Sequence, residues 1–243
     1  MEAVIEVRDL YKLYKVGDEI VRALNGVSFN VFRGEFCAIV GTSGSGKSTL
    51  LNMLAGLEKP TKGSIRIHGT SIEKLKENQL VQFRREHVGF IFQSFHLLST
   101  FNALENTALP LSFQGVSKSV RLKKAAEMLK LVNLDSHARH MPNQLSGGQQ
   151  QRVGIARALI VDPDIIFADE PTGNLDSRTS QDVMNLMRDI VNKRHKTLIM
   201  VTHDMNLAEY ADRIFEIRDG KFVRIREGRK FKPTEMVRRS ANY

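Results

Sequence analysis

The chain has 243 residues, 42% of them hydrophobic and 26% charged, which suits one large domain with subdomains and a sizeable core. No stretch approaches the roughly 18 consecutive apolar residues of a membrane helix, and the opening MEAVIEVRDL lacks the basic and then apolar order of an export signal. A cytosolic location is therefore expected, and the single cysteine, Cys37, excludes an internal disulfide and reads as a buried strand residue.

In chain order, AVIEVRDLYKLYK and ALNGVSFNVFRG alternate apolar with polar residues and read as half-buried antiparallel strands. EFCAIVG follows, then DIIFADE and TLIMVTH much later; these short apolar runs suit buried strands of a parallel sheet. Between the first and second of them, Ser117 to Leu134 sets Val120, Leu122, Ala125, Met128, Leu129 and Val132 on one helical face, with Ser117 or Ser119 placed to cap it. Strands alternating with helices define an α/β class.

GTSGSGKS, Gly41 to Ser48, matches the phosphate-loop pattern in its required setting, an apolar strand before it and the helix STLLNMLAGL after it. The glycines let successive N–H groups turn toward an anion, and the helix start adds partial positive charge. Gly41, Ser43, Gly44, Ser45, Gly46, Lys47, Ser48 and the adjoining Thr49 are thus the expected nucleotide-binding residues, with Lys47 on the β and γ phosphates and Ser48 on Mg²⁺. IIFADE delivers Asp169 at a strand end, where α/β sheets bind ligands. Asp169 is the expected metal-orienting carboxylate, and Glu170 is placed to polarise a water for in-line attack on the γ phosphate. His203 ends the next apolar strand; it joins this chemistry if the three strand ends are neighbours.

LSGGQQQR opens a helix in which Val153, Ala156, Leu159 and Ile160 recur at helical spacing. Ser146 and the free N–H groups of this turn make a second anion site of the same physical kind. One nucleotide need not occupy both sites in one chain, whereas a two-fold dimer unites them: each phosphate loop holds an ATP and the partner's Ser-Gly-Gly turn closes over its γ phosphate.

The ordered set of Gly41-to-Ser48, Gln93, LSGGQ, IIFADEP, NLD and VTHD resembles the ATP-binding cassette ATPases across nearly the whole chain to about residue 225. The resemblance implies a P-loop NTPase core of RecA-like type, with an antiparallel β subdomain and an inserted α-helical subdomain at about residues 94–145. A nucleotide-binding domain over 1–228 and a basic tail over 229–243 follow from it. It implies ATP and Mg²⁺ as cofactors, Tyr14 stacking on adenine, and Gln93 touching both Mg²⁺ and the attacking water. It also implies Ser146, Gly147, Gly148 and Gln149 as the signature on the partner's nucleotide, and Asp176 in the loop that crosses the dimer interface.

Longer stretches, such as RREHVGFIFQSFHLLSTFNALEN and NQLSGGQQQRVGIARAL, resemble the subgroup of macrolide and peptide exporters, lipoprotein-release ATPases and the cell-division ATPase. That implies an ATPase dimer on the cytoplasmic face of the cell membrane, driving a separate transmembrane permease for export of a drug, peptide or lipoprotein. The segment from Ser94 to Pro110 would contribute to the contact, and a periplasmic or extracellular adaptor is compatible with the resemblance. The alternative is a mechanotransmitting regulator that transports nothing. A soluble ATPase on DNA or the ribosome fits poorly, because neither a second cassette nor a long coiled-coil insertion is present.

The charge completes the picture. Lys and Arg exceed Asp and Glu by 36 to 27, but residues 218–243 hold nine of the basic residues against three acidic ones. The terminal stretch reads as a solvated tail or as a cationic arm for anionic lipid headgroups or a membrane protein's cytosolic surface, and nucleic acid is not the expected partner.

Overall fold

The computed structural model describes residues 3–229; apart from Arg229, the expected basic tail lies outside the described residues. The strands are β1 (Ala3–Val16), β2 (Glu19–Phe32), β3 (Phe36–Val40), β4 (Lys62–Ile67), β5 (Thr70–Ser71), β6 (Val88–Ile91), β7 (Ile165–Asp169), β8 (Thr197–Thr202), β9 (Arg213–Arg218) and β10 (Lys221–Glu227). The helices are α1 (Lys47–Leu54), α2 (Glu77–His87), α3 (Ala103–Phe113), α4 (Lys118–Leu131), α5 (Gly147–Leu159), α6 (Ser177–Arg194) and α7 (Met205–Ala208).

The strands form two sheets, an antiparallel one ordered β2-β1-β4-β5 and a six-stranded one ordered β10-β9-β3-β8-β7-β6. The second is parallel except for β10, which pairs antiparallel with β9. Its central strands β3 and β8 are buried throughout, which explains their unbroken apolar runs. Side chains alternate between faces, so each strand feeds two cores. Phe36, Ala38, Val40, Ile166, Ala168, Leu198 and Met200 join the cluster containing Val183, Met184 and Met187 of α6. Cys37, Ile39, Ile165, Phe167, Ile199 and Val201 join the cluster that holds Leu50, Leu51 and Leu54 of α1 with Ile5, Val7 and Ile65 of the antiparallel sheet. Cys37 is the buried strand residue expected, 1% exposed.

A smaller cluster of Ala108, Leu111, Ala125 and Ile160 joins α3 and α4 to the end of α5. Ser117 does stand at the N-cap of α4, but its side chain makes no capping hydrogen bond. Val120, expected on the apolar face, is 46% exposed. The helix buries only Ala125 and Leu129 within its span, because it meets its neighbours through its later turns and leaves the first in solvent. By contrast, Val153, Ala156, Leu159 and Ile160 of the α5 segment are all buried.

Two helices have clear local causes. Asn102 caps α3 by accepting from the Glu105 N–H at 2.9 Å, while Glu105 accepts from the Asn102 N–H at 3.1 Å, a capping box. Fully buried Asn106 then donates to the carbonyls of Leu98, Phe101 and Asn102 and accepts from the Leu98 N–H. That one side chain fixes the loop leading into the helix. At α6, Asp176 accepts from the N–H groups of Arg178 and Thr179.

Candidate nucleotide site

The parallel sheet sets β3, β8 and β7 side by side, and the loops leaving their C-terminal ends carry the phosphate loop, His203 and the Asp169–Glu170 pair. These strand ends are neighbours, as the participation of His203 requires.

The phosphate loop is clamped between β2 and the turn joining β9 to β10. Gly46 has φ +101, and a Cβ there would lie 2.2 Å from the Ala23 carbonyl oxygen; a larger residue fails on both counts. Gly220 donates its N–H to the Ser45 carbonyl at 3.2 Å. The loop runs directly into α1, whose N-cap is Gly46, so unpaired N–H groups and the positive helix end face the same space. Lys47 folds back and donates to the carbonyls of Gly41 and Thr42 at 2.9 and 2.8 Å.

A cleft of about 600 Å³ opens here, lined by Ser43, Gly44, Gly46, Lys47, Ser48 and Thr49 on one side and by Glu170 and His203 on the other. Val21, Arg22 and Ala23 of β2 complete it. No motif marks these three; only the strand alternation and the clamp on Gly46 bring them to the site. Lys47, Arg22 and the helix start make the cleft attractive to a polyanion.

Ser48 donates to Asp169 Oδ1 at 3.3 Å. A hydroxyl and a carboxylate oxygen at this spacing are hard donors of the kind that Mg²⁺ takes, so the residues present fit that ion. Burial raises the Asp169 carboxyl above its usual range; the Ser48 hydrogen bond opposes the rise, the Glu170 charge adds to it and Lys47 opposes it. Glu170 has φ 44, an uncommon backbone for a residue with a side chain. Its N–H donates to the Val201 carbonyl at 3.0 Å, and its Oε2 lies 3.0 Å from His203 Nδ1.

The remaining expected residues sit around this centre. Gln93 follows β6 and is not among the cleft-lining residues; its carbonyl accepts from Asn174 Nδ2 at 3.1 Å. The amide end lies against Gly173, where a Cβ would fall 2.7 Å from Gln93 Nε2. Just beyond it, Arg157 of α5 donates to the carbonyls of Phe95 and His96, both at 2.6 Å. The Tyr14 hydroxyl donates to Glu58 at 2.8 Å, and Lys12 Nζ stands 5.1 Å over its ring. Burial, and then the Glu58 hydrogen bond, raises the Tyr14 pKa. Glu58 carries no motif and becomes visible only through this contact.

The signature turn is absent from the lining of its own chain's cleft. Ser146 caps α5, accepting from the Gln149 N–H at 3.3 Å, while Gln149 accepts from the Ser146 N–H at 2.9 Å. Gly148 packs so closely on α6 that a Cβ would lie 2.3 Å from Thr179 Cγ2. Asp176 also accepts from the Thr179 hydroxyl at 2.6 Å; that bond leads the interactions that hold its carboxyl below the usual range.

A phosphate loop after β3, a histidine at the end of the neighbouring β8 and an acidic pair at the end of β7, one strand further, define a phosphate-loop nucleotide-hydrolysing fold. Residues 24–173 match the ABC transporter family, and the chain belongs to that family as an ATP-binding cassette ATPase. Among relatives, an ABC transporter ATP-binding protein of Thermotoga maritima is 48% identical over 221 residues, covering 91% of this chain and 94% of its own. The macrolide export ATP-binding/permease protein MacB of Escherichia coli K12 is 46% identical over 224 residues, covering 92% of this chain. This chain spans only 34% of that protein's length. A dimeric, post-hydrolysis structure of the ATP-binding cassette MJ0796 with ADP and Pi superposes with a TM-score of 0.85 at 44% identity, over 93% of this chain and 100% of that one. Among the described residues no helix is long and apolar enough to cross a membrane.

Proposed function

We propose that this chain hydrolyses ATP in a composite site and passes the resulting closure and reopening to a separate membrane permease. The observation that carries the reading is the Glu170–His203 contact of 3.0 Å, across one cleft from Lys47 and the start of α1. In this reading the phosphate loop wraps the triphosphate, and Lys47 exchanges its two carbonyl partners for phosphate oxygens. Tyr14 offers the ring face away from Lys12 to adenine. Glu170 orients and polarises the attacking water, and His203 holds that carboxylate while reaching toward the γ phosphate. Ser48 and Asp169, with Gln93, would hold Mg²⁺, which supplies charge neutralisation on the phosphates.

The relation between the two anion sites supports a homodimer in which the Ser146–Gln149 turn covers the partner's nucleotide. Its capping box leaves the N–H groups of Gly147 and Gly148 for such a ligand. Asp176, fixed at the head of α6, then lies beside the seam. A groove of about 330 Å³ lined by Arg84, Arg85, Phe90, Phe113 and Arg157 suits an amphipathic, acidic segment of the permease. Phe113, 69% exposed there, offers such a segment an apolar anchor. Arg157 links this groove to the Phe95 and His96 carbonyls two and three residues past Gln93, a route from partner to site. Peripheral placement on the cytoplasmic membrane face, export of a drug, peptide or lipoprotein, and an external adaptor complete the reading.

The test is steady-state hydrolysis by Glu170→Gln. Removing the general base should lower turnover by roughly 10²- to 10⁴-fold while ATP still binds. Near-normal turnover would remove Glu170 from the mechanism.

A further inference from the structure

We propose that His68, His87 and Asp164 form a transition-metal site, suited to Zn²⁺, that clips the antiparallel sheet to the ATPase core on the side remote from the nucleotide. His68 stands in the turn between β4 and β5, His87 is the last residue of α2, and Asp164 immediately precedes β7. Their ligand atoms all lie within 4.8 Å of one another. Asp164 Oδ2 is 3.6 Å from His68 Nε2 and 3.4 Å from His87 Nδ1. Donors bound tetrahedrally at the Zn–N and Zn–O distances of about 2.0–2.1 Å are themselves about 3.3 Å apart. The two measured separations therefore need only a few tenths of an ångström of adjustment.

The donor set also has the right chemistry. Two imidazoles and a carboxylate suit borderline ions such as Zn²⁺ and leave one position for water. The side chains are 23%, 32% and 47% exposed for His68, His87 and Asp164, so an ion can enter without unfolding. The scaffold holds the donors from three directions. The His68 N–H donates to the Val4 carbonyl at 3.0 Å, and the Asp164 carbonyl accepts from the Thr197 N–H at 3.0 Å. The imidazole rings of His68 and His87 have centroids 5.3 Å apart, and Phe83 packs 5.0 Å from the latter. Glu86 Oε2 lies 3.9 Å from His87 Nε2, placing a carboxylate beside the ring nitrogen that faces away from the site, where it can accept that nitrogen's proton in a hydrogen bond and hold the ring's orientation toward an ion.

Asp164 and Asp169 bracket β7, so this site and the Mg²⁺ donors are separated by the strand's length, roughly 16 Å. The ion would therefore act on the architecture. It ties residues 68 and 164, one in each sheet system, and it stabilises the folded chain because no preformed site survives unfolding.

The test is equilibrium dialysis of nucleotide-free, chelator-stripped protein against Zn²⁺, with bound metal measured by mass spectrometry. One ion per chain is expected. It should be retained in Asp169→Asn, which alters the nucleotide cleft, and its affinity should fall in His87→Gln and Asp164→Asn. The fall should be at least the roughly 10- to 100-fold that loss of even an outer-shell partner costs. X-ray absorption of the wild-type protein should then show two imidazoles and oxygen ligands, a readout that survives if a variant folds poorly. No bound ion, an ion held equally by His87→Gln, an ion lost in Asp169→Asn, or a ligand shell without imidazole would each overturn the proposal.

Discussion

At the scale of single residues, the site is held ready by contacts that a ligand must replace. Lys47 satisfies its ammonium on two loop carbonyls, so its affinity for phosphate is measured against a good alternative. Even so, a hydrogen bond to a charged group contributes about 1.5–3 kcal/mol. Lys47→Ala is therefore expected to weaken ATP binding by about 10- to 100-fold, read by calorimetry. Unchanged affinity would contradict the assignment of the loop. Glu170 presents the converse case: its backbone sits in the left-handed region at φ 44, a conformation that costs of order 1–3 kcal/mol and persists where the surroundings enforce it. The Val201 hydrogen bond supplies that enforcement. It aims the carboxylate back over the cleft toward His203.

At the scale of elements, what could be read from the sequence depended on whether the signal was local. The β3, β7 and β8 runs, the phosphate loop and the α5 face carry their own periodicity and turn chemistry, and each takes the expected form. In α4 the periodicity misled at Val120, because an apolar stripe states which face can be buried, not how far along the helix a neighbour reaches. Arg22 reaches the cleft, and Glu58 reaches Tyr14, only through tertiary packing, which leaves no local mark. The same holds for Asn106, a polar residue that an apolar pattern leaves unexplained and that proves to organise the loop before α3. Asn106→Ala strips four hydrogen bonds and orphans buried backbone groups. A loss of about 1–3 kcal/mol is expected in denaturant unfolding, and a neutral effect would show that loop to be solvated.

Strand β10 is tied to the core by a charged side chain. Arg226 reaches Glu209 at 2.6 Å and Glu216 at 3.4 Å, and its hydrogen bond is the main reason the Glu209 carboxyl lies below its ordinary range. Because that folded value is depressed, the contact's contribution is complete above the unfolded carboxyl pKa of about 4.3. It fades as pH falls through the lower folded value. Arg226→Met should be less stable than the wild type at neutral pH, and the difference should shrink in acid. A gap in melting temperature that stays constant through the acid range would assign the effect to packing.

At the scale of the molecule, one chain carries two helix starts with the glycine-rich, acid-free turns suited to an anion, and the cleft beside Lys47 is lined by only the first. The Ser146 turn is built with the same exposed N–H groups and is held rigid by its capping box and by Gly148 against α6, yet it lines no part of that cleft. In the proposed dimer, two copies related by a two-fold axis would resolve this, each completing the other's site. In the proposed assembly the arginine-rich groove beside Phe113 would take the membrane partner, and Arg157 connects that groove to the loop following Gln93.

The decisive measurement is the mass in solution of Glu170→Gln by light scattering, with and without saturating ATP and Mg²⁺. Slow hydrolysis should trap the closed pair, so the expected result is a monomer without nucleotide and a dimer with it, abolished when Lys47→Ala is added. A monomer at saturating ATP, with binding shown independently, would contradict the composite site.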